Sequence, residues 1–243
     1  MKFITLNFDL KLFLYLVLGF VLCTTVGTVS HEAGHCAAAK YYGRNPELSY
    51  AYMSHGKPTW MSEYHQEFAK NKWKLSPGAS SAEKKEFLDF TTRHRKKYTQ
   101  EKFFITLGGP LQTMLTGLIG FGILFYRREQ IFSRTYLTLI EWAAVFLSYF
   151  WSRQVFNFIF SVDATFSDRK HFRSDEPRLS QYLNLPPWVF GMITCLFGGL
   201  ILLWVTFKVI PLKQRTTFLL SGVTGSAIGW LIWLEWLGPK LLP

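Results

Sequence analysis

Apolar side chains are grouped along this chain into five long runs, which polar stretches separate from one another. The runs cover residues 12–29, 103–126, 136–162, 187–207 and 218–234. Each run is close to the roughly 20 residues that a helix needs to cross a hydrocarbon core ~30 Å thick. The pattern predicts an all-α polytopic membrane protein with about five transmembrane helices, four or six helices being the alternatives. The first run continues past Cys23, which favours a retained helix over a cleaved signal peptide.

A polar insertion at residues 44–102 separates the first two runs. Large and small residues alternate around His55 and Gly56, and this predicts a small surface β-hairpin after the first helix. Further along, Ser80 and Glu83 form the signature of a helix start. The basic amphipathic segment that follows is predicted either to lie on anionic lipid or to form a solvated helix.

A second polar stretch, the charged loop at residues 163–185, separates the third run from the fourth. The sequence contains no internal repeat, so we predict a single integral membrane domain over residues 1–243 that carries the insertion and this loop. The three cysteines are far apart and odd in number, and therefore no disulfide framework is expected.

The composition is 49% hydrophobic and 18% aromatic, and the formal net charge is +11. In a soluble protein this charge would suggest nucleic acid as a partner. Here the basic residues lie in loops between apolar runs, so anionic lipid is the predicted partner and nucleic acid is not. Most of them follow the first and third runs, and the positive-inside rule assigns that side to the cytoplasm, with the plasma (inner) membrane as the expected location. The sequence does not indicate an oligomeric state.

Two histidines and a glutamate follow directly on the first apolar run in the motif HEAGH, as His31, Glu32 and His35. Residues four apart lie on one face of a helix, so both imidazoles can bind the same metal ion. Glu32 then lies beside the ion, where it can take a proton from a water that the ion has acidified and pass it to a leaving amine. This is the pattern of zinc hydrolases, whose usual catalytic set is three protein ligands and one water.

Ionisable residues at the centre of a membrane helix cost about 2.5–3.5 kcal/mol each, so a cluster of them needs a compensating role. Two other interpretations are open at this point. The helix can already have left the hydrocarbon at His31, which would make the cluster interfacial, or the cluster can belong to the ion path of a transporter. The remaining histidines, which have no partner at ligand spacing and are expected to be surface or interfacial residues, are His55, His65, His94 and His171.

The sequence resembles the site-2 protease class of intramembrane zinc metalloproteases. In that family a His-Glu-x-x-His motif lies on the first core membrane helix, a Gly-Pro-containing turn starts the second, and a later segment supplies an aspartate as the third ligand. The stretch "SHEAGHCAAAKYYG" is similar to the first element, and "FITLGGPLQTMLTGLIGFGILF", with Gly108, Gly109 and Pro110, is similar to the second. The resemblance implies that Gly109 and Pro110 help to position a substrate.

The third element of the family has a divergent match in "SDEPRLSQYL". Asp175 is followed by an arginine and a leucine at the family's offsets, but a glutamate and a proline replace two glycines. Asp175 is the first choice for the third ligand by this resemblance, with Asp163 and Asp168 as rivals. Asn157, which follows Arg153 in a polar island, would hold a substrate backbone by resemblance, or would simply make a hydrogen bond between helices.

The resemblance implies an intramembrane zinc metalloprotease that hydrolyses peptide bonds of membrane-protein substrates. One zinc ion would be held by His31, His35 and Asp175, with Glu32 as the general base. A transmembrane protein, opened against the hairpin, would be the substrate. The divergent third element keeps an alternative open, a proteolytically inactive family member that acts as a membrane-protein binding or regulatory module.

Overall fold

The computed structural model describes residues 4–166 and 174–243, without the side chains of residues 163–166. Helices dominate this part of the chain, and its sheet has two short strands, in agreement with the predicted fold class. In chain order the elements are α1 (Leu10–Tyr41), β1 (Glu47–Leu48), β2 (Met53–Ser54), α2 (Met61–Asn71), α3 (Ser81–Tyr126), α4 (Arg128–Phe132), α5 (Leu139–Ser148), α6 (Ser152–Phe166), α7 (Asp175–Tyr182), α8 (Val189–Trp204), α9 (Arg215–Trp230) and α10 (Gly238–Leu241).

Four helices in the described ranges are long and apolar enough to cross a membrane, where the sequence predicted about five. They are α1, α3, α8 with its π-helical extension (Val189–Val209), and the segment Leu212–Leu241 that contains α9. The run at residues 136–162 does not form one helix, because the 3₁₀ turn Tyr149–Trp151 divides it into α5 and α6. At 1.5 Å per residue these two pieces are about 15 and 22 Å long, so neither alone spans a ~30 Å core. The long apolar helices are those of a membrane protein.

Helix α3 joins the polar insertion to the second apolar run without a break. The Ser80 hydroxyl accepts a hydrogen bond from the Glu83 N–H, and the Glu83 carboxylate accepts one from the Ser80 N–H, so the predicted helix start is confirmed. The 46 residues of α3 extend about 69 Å, more than twice the thickness of a membrane core. The basic segment therefore continues a membrane helix instead of forming a helix of its own.

Gly108, Gly109 and Pro110 lie well inside α3, whereas the sequence predicted that they open a new helix. A proline removes only one backbone donor, and the packing of α3 against α1 supports the helix through that position. Gly34 and Gly108 allow this packing, since a Cβ atom on either one would lie 2.5 Å from the carbonyl oxygen of the other. The close approach brings the HEAGH segment of α1 directly against Gly109.

The predicted hairpin is confirmed as an antiparallel pair, in which Glu47 lies opposite Ser54 and Leu48 opposite Met53. Its turn lies at residues 49–52 rather than at His55–Gly56. Gly56 follows β2 with a φ of +63°, and a Cβ atom there would lie 2.5 Å from the Asn45 carbonyl oxygen. Only glycine fits this combination of left-handed backbone and close contact, so the residue ends the hairpin instead of forming its turn.

Helix α1 packs between α3 on one side and α9 on the other. Towards its N-terminal half, the buried ring of Phe20 contacts Phe146 and Phe218 at centroid distances of 5.2 and 5.4 Å. Aromatic contacts of this kind fix the helix in a well-packed apolar core. The C-terminal half of α1, which carries the three polar residues of HEAGH, is thereby held in a defined orientation.

Candidate metal centre

His31 and His35 lie one turn apart on α1, with side chains buried against α3. Their Nε2 atoms are 3.2 Å apart, and the two residues are 0% and 6% exposed. Two imidazole nitrogens at this distance, facing the same point, are arranged as a pair of ligands for one ion. The placement follows from the four-residue spacing, which puts both side chains on one face of the helix.

The other ring nitrogen of each histidine is held by α3. His35 Nδ1 lies 2.7 Å from the carbonyl oxygen of Ile105, which can only accept, and 3.2 Å from the Gly109 nitrogen. The shorter contact is the one to the carbonyl oxygen, and a proton on Nδ1 satisfies it. His31 Nδ1 lies 2.9 Å from the Thr113 hydroxyl, which itself donates to the Gly109 carbonyl and therefore accepts from His31. Hydrogen bonds of this kind fix the tautomer of metal-binding histidines. Both Nε2 atoms are left unprotonated, in the form that binds a metal ion.

Asp175, the first residue of α7, brings a carboxylate to the same point. Its Oδ2 atom is 3.1 Å from His31 Nε2 and 3.2 Å from His35 Nε2. Of the rival ligands, Asp168 and the side chain of Asp163 lie outside the described residues.

The three atoms fit the requirements of a small divalent cation. In a tetrahedral zinc site with bonds of ~2.0–2.1 Å, ligand atoms are about 3.3 Å apart. The observed separations among the two Nε2 atoms and Oδ2 are 3.1–3.2 Å. A carboxylate oxygen of Glu32, 7% exposed, lies within 4.8 Å of the ligand atoms of both histidines. The buried cluster of His31, Glu32 and His35 could therefore hold a metal ion.

Gly109 and Pro110 are both buried in α3 next to this centre. A Cβ atom at Gly109 would lie 2.3 Å from His35 Nε2 and 2.6 Å from His31 Nε2. Such distances are far below van der Waals contact, so the missing side chain leaves the space that the two imidazoles need. The contact gives Gly109 a role in shaping the metal centre, whereas the substrate-positioning role suggested for Gly109 and Pro110 remains a prediction.

Asn157 of α6 links two of the elements that surround the centre. Its side-chain amide donates a hydrogen bond of 2.9 Å to Glu176 Oε1, and Glu176 is 0% exposed. Because Glu176 is the neighbour of Asp175, this bond holds the start of α7 in place. Asn157 also faces the cavity described next, so a contact with substrate remains a prediction.

A polar cavity of about 430 Å³ opens beside the metal centre. Its lining combines α1, the hairpin, α3, α6 and α7, and includes Glu32, His35, Met53, His55, Arg153, Asn157, Asp175 and Arg178. His55, which was expected to be a surface or interfacial histidine, is half-buried here, and burial lowers its pKa. Neither His55 nor Arg153 was predicted as a site residue, because no spacing rule relates them to HEAGH.

Comparison with protein-family models, curated proteins and solved structures finds no match for this chain. The site is therefore interpreted from its own geometry and chemistry.

Replacing Asp175 by alanine is expected to weaken the binding of zinc, the metal ion to be tested, by about 100-fold or more. Loss of a hydrogen-bond partner of a ligand already costs about 10–100-fold in metal affinity, and this substitution would remove a candidate ligand itself. Competition with a chelator of known affinity would measure the effect on the purified protein. Asp89→Ala, which removes an exposed carboxylate from the outer part of α3, is the matched control. Equal zinc affinities for the two variants would exclude Asp175 from the centre.

Proposed function

We propose that this protein is an intramembrane zinc metalloprotease that cleaves other membrane proteins. The observation that carries the proposal is the convergence of His31, His35 and Asp175 on one point beside the carboxylate of Glu32. These groups are buried among helices that are apolar enough to cross a membrane. Peptide-bond hydrolysis needs metal ligands and a base next to each other, and these residues supply both. An ion path would instead need ionisable groups spread through several helices.

The two Nε2 atoms and the Asp175 carboxylate would hold the zinc ion. A bound zinc ion supplies Lewis acidity, which polarises a peptide carbonyl and makes a water acidic near neutral pH. Glu32 accepts the proton of the attacking water and transfers it to the amine that leaves. Ile105 and Thr113 keep the imidazoles oriented throughout. The hydrogen bonds that they accept come from the Nδ1 atoms of the two histidines, which take no part in the reaction.

The substrate class proposed is a transmembrane protein whose helix is locally unwound. A membrane helix keeps its peptide bonds inside intramolecular hydrogen bonds, so it must open before water can attack a carbonyl carbon. Met53 of β2 lines the cavity, and the two-stranded sheet offers edges on which an extended segment can pair. This arrangement supports presentation of an extended segment next to Glu32.

The membrane and its orientation are also proposed here. If α5 and α6 together make one crossing, the chain crosses five times, and the basic insertion between α1 and α3 faces the cytoplasm by the positive-inside rule. The location would be the plasma (inner) membrane, with anionic lipid near the basic residues that flank the crossings. The metal centre lies towards the C-terminal end of α1, and therefore nearer to the cytoplasmic side.

Removal of the metal ion tests the proposal directly. The purified protein in lipid nanodiscs is expected to cleave at least one member of a panel of single-span substrates. A zinc chelator should abolish cleavage, and added zinc should restore it, because the proposed chemistry needs the ion. Mass spectrometry of the products and measurement of bound metal give the two readouts. Bound zinc with no cleavage of any substrate would instead support the inactive binding module.

A further inference from the structure

Arg153 is a charged residue of the cavity that the proposed mechanism has not used. It lies on α6, is half-buried, and its Nε atom is buried without a hydrogen-bond partner. Among the described residues, no carboxylate lies within 4.0 Å of its guanidinium group. An arginine within the apolar run 136–162 is costly, and such residues normally pair with another group or serve a ligand.

The position of Arg153 relates it to the metal centre. It precedes Asn157 by four residues, so the two side chains share one face of α6, and both line the cavity. Asn157 in turn binds Glu176, next to Asp175. Arg153 and Asn157 thus line the same cavity as Glu32, His35 and Asp175.

A purely structural role would require a partner for this charge. Glu32 and Asp175, the acidic residues that share the cavity lining with Arg153, form no ion pair with it. The space between these groups is the cavity itself. Arg153 therefore carries N–H donors at the border of a volume that a substrate can enter.

We propose that Arg153 binds the oxygen of the scissile carbonyl as that oxygen becomes negatively charged. The inference rests on the proposed proteolytic function. As the water oxygen bonds to the carbonyl carbon, the π electrons of the C=O bond move to its oxygen, and the water proton goes to Glu32. When the C=O bond reforms, the C–N bond breaks and the nitrogen receives the proton from Glu32. Arg153 stays protonated and donates N–H hydrogen bonds to the oxygen in between.

This role makes Arg153 a catalytic residue whose effect is larger in the transition state than with bound substrate. Removing one donor to such an oxygen typically lowers kcat about 10²–10³-fold. Substitution by glutamine should produce a loss of that size, with KM changed by less than about threefold. Lysine keeps the charge but has no planar fork, so Arg153→Lys should retain activity intermediate between the glutamine variant and the wild type.

The experiment compares the full-length wild type, Arg153→Gln and Arg153→Lys, each loaded with zinc, on one cleaved transmembrane substrate. Arg93→Gln removes an exposed arginine from the outer part of α3 and is the matched control. Besides kcat and KM, bound zinc and the affinity for a phosphinate peptide are measured, since the phosphinate anion resembles the charged intermediate. Arg153→Gln should keep its zinc and bind the phosphinate about 100-fold more weakly, while its affinity for the corresponding uncharged peptide is unchanged.

Several outcomes would overturn the inference. Wild-type kcat in Arg153→Gln, a loss confined to KM, or a loss of zinc in both Arg153 variants would each show that the residue does not bind the reacting oxygen. In those cases the active wild type still supports the proposed protease. A wild-type protein that cleaves nothing would refute the proposed function itself, and this inference with it.

Discussion

Glu32→Gln is expected to stop cleavage while the protein keeps its zinc. Glutamine has nearly the same shape as glutamate but cannot accept the proton of the attacking water, so the general-base contribution of about 10²–10⁴-fold in rate is lost. His31, His35 and Asp175, which would hold the ion, are unchanged. Steady-state cleavage of a transmembrane substrate and metal analysis of the same sample measure the two properties together.

Glu63→Gln is the matched control for this variant, because Glu63 is exposed on α2 and the substitution is chemically identical. The control should cleave at the wild-type rate. Full activity of Glu32→Gln would end the proposal of a glutamate base, whereas loss of zinc in that variant would mean that Glu32 is a ligand instead. Metal analysis distinguishes a base from a ligand at this position, where a Glu32 oxygen lies within 4.8 Å of both imidazole ligand atoms.

The part of the site that the sequence predicts well is the part that one helix builds. His31, Glu32 and His35 lie within five residues of α1, so helical geometry alone sets their relative positions. Their burial also agrees with their place on α1, directly after the apolar run at residues 12–29. The hydrogen bonds that the histidines donate to Ile105 and Thr113 could not be predicted in this way, because they depend on how closely α3 packs against α1.

The position of Asp175 next to the histidines could not be predicted from local sequence patterns. Its sequence context differs from the family's pattern, and in isolation it is one acidic residue in a charged loop. The structure brings it to the histidines through α7, which the Asn157–Glu176 hydrogen bond attaches to α6. That bond joins residues 19 positions apart in the sequence, and neither spacing nor composition predicts it.

The fold differs from the prediction at two places. The run at 136–162 is apolar enough to predict one helix, yet Tyr149–Trp151 form a 3₁₀ turn within it. Gly108–Pro110 predict a helix start, yet α3 passes through them while α1 packs closely against that stretch. There, tertiary packing overrides a local signal, which is why the sequence alone does not predict the continuous helix.

Gly109→Ala is expected to disrupt the metal centre although it adds one methyl group. The new Cβ atom would lie 2.3 Å from His35 Nε2 and 2.6 Å from His31 Nε2, so both ligand atoms would have to move. Helix α3 cannot easily withdraw, since Gly34 and Gly108 already hold it against α1. Overpacking of this kind costs about 1–3 kcal/mol of stability, and displacement of both imidazoles should weaken zinc binding by roughly 100-fold or more.

Gly122→Ala is a matched control in the same helix, because a Cβ atom at Gly122 meets no other atom within 4 Å. Its expected effect is a small stabilisation of about 0.5–1 kcal/mol from the higher helix propensity of alanine. The thermal unfolding temperatures of the two variants should therefore change in opposite directions, and only Gly109→Ala should lose zinc affinity. Normal zinc binding by Gly109→Ala would show that the two imidazoles do not converge beside Gly109, and would remove the geometric basis of the metal centre, whereas a parallel loss in Gly122→Ala would indicate a general defect of α3.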